Sequence, residues 1–85
     1  MELEFEIGDP AKVETVLSKA KEMVKENNGE VNGNDFIIET LIGKFKGMFR
    51  INGSKVIIDI TKKPFIATEN MVEKEINKLF KEIME

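Results

Sequence analysis

Three glutamates at spacing two, Glu2, Glu4 and Glu6, stand at the start of the sequence. On a strand, that spacing puts all three on one face. Carboxylates so placed could share a proton or hold a hard cation. They serve equally as a solvated face, or as charge that protects a sheet edge from pairing with another chain, and no Asp-x-Asp-x-Asp loop argues for calcium. A second cluster is cationic. Between residues 43 and 64, Lys44, Lys46, Arg50, Lys55, Lys62 and Lys63 face one carboxylate, Asp59, in a chain whose net charge is -3. Lys44, Lys46 and Arg50 share strand parity and would project from one sheet face, where they could meet an acidic partner or a phosphate backbone. Phe45 and Phe49 have the opposite parity. A single-strand nucleic-acid platform interleaves cations with aromatic rings, so no nucleic-acid partner is expected.

Other chemistry is limited by the residue types present. The chain has no His and no Cys, which removes the usual general base, thiolate chemistry and Cys-based zinc sites. What remains is Asp, Glu, Lys, Arg, Ser, Thr and Asn, in no recognisable catalytic arrangement. The expectation is a non-enzymatic protein with no catalytic residue, metal site or cofactor. Gly29, Gly33, Gly43, Gly47 and Gly53 match neither the P-loop nor the dinucleotide-binding spacing. Turns account for most of them. Gly47 lies inside a strand pattern, which predicts a bulge, a bend or close packing. The start of the sequence is acidic and no apolar stretch approaches a membrane span, so a soluble cytoplasmic protein with no membrane partner is expected.

The elements that position these residues follow from periodicity. Leu3, Phe5 and Ile7 alternate with the three glutamates and predict a half-buried strand. Asp9-Pro10 opens a helix whose apolar stripe is Val13, Val16, Leu17, Ala20, Met23 and Val24. Asn27-Asn28-Gly29 ends it, with Gly29 suited to a left-handed cap. Asn32-Gly33 and Asn52-Gly53 read as type I′ hairpin turns. The first joins a short strand at Glu30–Val31 to one near Asp35–Leu41, and the second joins Lys44–Ile51 to Ser54–Thr61. Pro64 closes the last strand, and Thr68 caps a final helix with the stripe Met71, Val72, Ile76, Leu79, Phe80 and Ile83.

The predicted architecture is therefore a single α+β domain over residues 1–85. Its order is β-α-β-β-β-β-α, with the second strand short, and both helices pack on one face of an antiparallel sheet. Two places remain where function could reside. Ile37, Leu41, Met48 and Ile57 would point away from the helices, as a candidate interface for a weak homodimer or a docked partner. Alternatively, Phe45, Gly47 and Phe49 would line a pocket between helices and sheet for a small hydrophobic ligand.

One further signal spans Gly43 to Ile76. Gly43-Lys44-Phe45-Lys46-Gly47 is followed by Asn52-Gly53, then Val56 through Pro64-Phe65, then Val72-Glu73 and Ile76. This order resembles small bacterial α+β proteins of the polyhydroxyalkanoic acid system type. That resemblance implies a fold of this kind and carries no catalytic residue over. The agreement of every cap and turn with its element is also similar to idealised designed α+β proteins.

Overall fold

The computed structural model describes residues 1–40 and 43–84. Its strands are β1 (Glu2–Glu6), β2 (Glu30–Asn32), β3 (Asp35–Thr40), β4 (Gly43–Asn52) and β5 (Lys55–Lys62). A 3-10 turn (Pro10–Lys12) leads into α1 (Val13–Glu26), and α2 (Glu69–Met84) closes the chain. The sheet is antiparallel throughout, in the order β1-β5-β4-β3-β2. The strand that starts the chain and the three-residue β2 are thus its two edges.

Alternation sets the two faces. Phe36, Ile38, Phe45, Phe49, Val56, Ile58 and Ile60 are buried and form one cluster with Val13, Leu17, Ala20 and Val24 of α1 and Val72, Ile76 and Phe80 of α2. Both helices therefore cover the same sheet face, as the sequence predicts. No polar side chain is buried among the described residues. Ile51 shares the inward parity but lies at the hairpin end and is 42% exposed, and Met71 of the predicted α2 stripe is also exposed.

Local signals hold the elements. Asp9 accepts a hydrogen bond from the Ala11 N–H at 3.0 Å, and Thr68 Oγ1 accepts one from the Met71 N–H at 3.2 Å. The first caps the 3-10 turn that leads into α1 and the second caps α2, and each satisfies a donor left free there. One cap and both hairpin turns differ from the sequence reading. At the end of α1, Asn28 takes the left-handed conformation, with φ 64°. Gly29 is required for space instead: a Cβ there would lie 2.5 Å from the Ile37 carbonyl oxygen and from Val24. Asn tolerates this conformation, so the cap needed no glycine. In both hairpins the paired residues are Asn32 with Asp35 and Asn52 with Lys55, so the two-residue loops are Gly33-Asn34 and Gly53-Ser54. Only the glycines have positive φ, at 65° and 62°. That is the pattern of a type II′ turn, which needs glycine at the first loop position, and it replaces the predicted type I′.

Gly47 combines two of its predicted roles. The β4–β5 register shifts beside it, from Lys46 opposite Lys62 to Gly47 opposite Ile60, leaving Thr61 as the extra residue of a bulge. Its cross-strand partner on β3 is Phe36. A Cβ on Gly47 would meet the Phe36 ring at 2.7 Å and the Asp59 carbonyl oxygen at 2.5 Å. The ring lies over the glycine and stacks on Phe49, with centroids 4.7 Å apart.

Candidate functional site

The sheet face turned away from the helices carries the cations and carboxylates singled out above. Register places Glu4, Ile57 and Arg50 side by side, and Glu2, Asp59, Met48 and Asp35 in the adjacent row. Arg50 pairs with Glu2, and Lys55 Nζ lies 3.5 Å from Glu4 Oε2. Ser54 donates its hydroxyl proton to Glu6, and Lys44 faces Glu39 at 3.7 Å. Exposed pairs of this kind contribute about 0–1 kcal/mol each. Their placement matters more: Arg50 of β4 and Glu2 of β1 pair across β5, and Ile57, set between Arg50 and Glu4, is 5% exposed although it points away from the helices.

The candidate interface residues fall on one diagonal, Ile37–Met48–Ile57, of this face. Ile37 and Met48 are half-buried, and Leu41 lies outside the described residues. Of the candidate pocket residues, Phe45 is 1% exposed and Phe49 3%. The apolar cavity between the helices and the sheet measures about 30 Å³, and Phe49 lines it with Phe36, Ile58, Ile76 and Phe80. Phe45 and Gly47 do not reach it. That volume is far below the several hundred Å³ of a typical small-molecule site.

A different surface emerges at the β1 edge. Phe5 stacks on Phe80 of α2, with ring centroids 4.1 Å apart. Beside this stack runs an open groove of about 350 Å³, lined by Phe5, Asn77, Phe80, Lys81 and Met84. Spacing explains the wall: positions 77, 80, 81 and 84 share one side of α2. Met84 is 49% exposed there.

The hydrogen-bond phase of β1 completes the picture. The Ile60 N–H donates to the Met1 carbonyl at 2.7 Å and the Ile7 N–H to the Ser54 carbonyl at 2.9 Å. In an antiparallel ladder, bonding alternates along the strand. Met1, Leu3, Phe5 and Ile7 therefore direct their backbone groups to β5. Glu2, Glu4 and Glu6 direct theirs outward, to the free edge. Sequence reasoning singled out these three side chains and missed their backbones, because strand order decides which groups are free. It also missed Phe65 and Ile66, 103% and 70% exposed in the β5–α2 connection.

Among the described residues no group of three or more Asp or Glu side chains is placed to hold a metal ion, and no helix is long and apolar enough to cross a membrane. Comparison with protein-family models, curated proteins and solved structures yields no match to this chain. The fold and surface define a small α+β domain, helices on one face of a five-stranded antiparallel sheet, with an apolar groove beside Phe5 of its first edge strand.

Proposed function

We propose that this domain is a non-catalytic partner-binding module that takes an extended segment onto the free edge of β1. The observation that carries the reading is the conjunction of an unpaired edge with the Phe5–Phe80–Met84 groove beside it. Strand addition uses those two parts: main-chain hydrogen bonds supply affinity, and an adjacent groove for alternate side chains supplies selectivity. A chain without His or Cys and with a wholly apolar core suits this role better than catalysis. The edge also offers more than the outer sheet face, where Ile57 is buried beside the ion pairs and Ile37 and Met48 are half-buried.

The test uses three hexapeptides of the form X-Val-X-Val-X-Val, with X as Lys, Thr or Glu, titrated into the labelled protein and followed by amide NMR shifts. The reading expects at least one peptide to shift β1 together with Asn77, Lys81 and Met84. It also expects the Glu4→Pro variant to lose that binding while keeping its fold. The substitution removes an N–H that points away from the sheet, and an edge strand tolerates proline where its N–H faces solvent. Shifts confined to Ile37 and Met48, or no shifts at all, would contradict it.

A further inference from the structure

Building on that strand-addition reading, we infer that the segment this edge selects is basic at alternate positions, with apolar residues between. An incoming strand would exchange backbone hydrogen bonds with Glu2, Glu4 and Glu6. The residues it sets directly opposite them project onto the same sheet face as their carboxylates, since paired residues on neighbouring strands share a face. That face of the edge carries three negative charges in five residues. Glu2 and Glu4 are each engaged from one side only, by Arg50 and Lys55 on the strands behind them, and their side chains remain 54% and 53% exposed. A carboxylate has about four acceptor sites, so each can receive a second cation from the open side. The alternate residues of the incoming strand would turn the other way, toward the groove walled by Phe80 and Met84. The complementary pattern is therefore cation, apolar, cation, apolar, cation, over about the five residues that β1 can pair.

A second copy of this chain is the poorer occupant. If two β1 edges met with their apolar faces on the same side, glutamate would lie against glutamate, and like charges directly opposite are unfavourable. The other edge, β2, presents Glu30 and Asn32 on that face and brings no cation either. The charge on β1 thus works against self-pairing and for a basic guest.

The peptide panel distinguishes the outcomes. The Lys peptide is expected to bind about tenfold more tightly than the Glu peptide at low ionic strength, a modest factor because each exposed cross-strand charge pair contributes little. The preference should shrink toward unity near 1 M salt. It should also fall in the double variant Glu2→Gln/Glu4→Gln, whose fold is checked by circular dichroism. A block peptide, Lys-Lys-Lys-Val-Val-Val, has the same charge without the alternation and should bind at least several-fold more weakly. Equal binding of the Lys, Thr and Glu peptides at β1 would overturn the charge selection and leave strand addition standing. Equal binding of the block peptide would overturn the alternation. No binding at β1 by any peptide would overturn both readings. Sedimentation of the free protein as a dimer that Glu4→Pro dissolves would identify a second copy as the occupant and overturn the inference.

Discussion

Replacing Gly47 by alanine adds one methyl group at a crowded point of the sheet. The new Cβ would lie 2.5 Å from the Asp59 carbonyl oxygen and 2.7 Å and 2.9 Å from two carbons of the Phe36 ring. Neither neighbour can yield easily. The carbonyl belongs to the β5 backbone beside the bulge, and the ring is 4% exposed and stacked on Phe49. Overpacking of this kind costs about 1–3 kcal/mol or somewhat more. Alanine recovers about 0.5–1 kcal/mol because glycine loses more backbone freedom on folding. Because one of the clashes, at 2.5 Å, is with backbone rather than with a flexible side-chain end, the upper end of that cost applies, and the net expectation is a destabilisation of about 2 kcal/mol, or a drop in Tm on the order of 10 °C for a domain of this size. Urea and thermal unfolding followed by circular dichroism measure it. The pair Phe36→Ala/Gly47→Ala sharpens the test. Phe36→Ala alone should cost about 3–5 kcal/mol through the cavity it leaves. The double variant should cost at least ~1 kcal/mol less than the sum, because removing the ring makes room for the methyl. A Gly47→Ala protein within about 0.5 kcal/mol of wild type, or strict additivity in the pair, would refute the reasoning, given that independent sites add to within that margin.

Other substitutions probe separate parts of the account. Ile57→Ala should cost about 2–4 kcal/mol in urea unfolding, as a core residue would, although Ile57 points away from the helices. At the end of α1, Gly29→Ala should destabilise more than Asn28→Ala in the same assay, because Gly29 is held by crowding and Asn28 only by its φ. Gly53→Ala should cost about 1 kcal/mol through strain at φ 62°, while Ser54→Ala, at the neighbouring loop position whose φ is not positive, should cost less. Phe65→Ala should leave stability within about 0.5 kcal/mol of wild type, since the ring is fully exposed.

Much of the fold was legible because local signals agree with the global pattern. Period-two alternation in β1 and β5 and the 3.6-residue stripe of α1 assign the elements and the face each one buries. Asp9, Thr68 and the two Asn-Gly pairs mark their ends. Apart from the opening of the first helix, a 3-10 turn over Pro10–Lys12, the misreadings were of one residue each and arose where a neighbour in space decided the outcome. Gly29 looks like a cap, yet the Ile37 carbonyl beside it is what excludes a side chain. Asn-Gly suggests a type I′ turn, yet cross-strand pairing sets each Asn in the strand and moves the Gly to the first loop position.

The candidate site was less legible, for a related reason. Alternation places Ile57 on the outer face but says nothing of the glutamates from β1 and the cations from β4 and β5 that pair beside it. Those contacts depend on β1 lying beside β5, about fifty residues away in sequence. Likewise, Glu2, Glu4 and Glu6 read as a charged strand face, but only strand order makes their backbone groups the free ones. The groove lacks any local motif, because Phe5 and the 77–84 stretch of α2 lie at opposite ends of the chain.

Amide hydrogen exchange along β1 tests the central claim most directly. In the free protein, the amides of Leu3, Phe5 and Ile7 should exchange slowly and those of Glu2, Glu4 and Glu6 fast, because only the first set bonds to β5. Saturation with the Lys-Val hexapeptide should slow the glutamate amides and leave the first set unchanged. Glutamate amides that are already protected in the free protein, or that stay fast with peptide bound, would contradict the account.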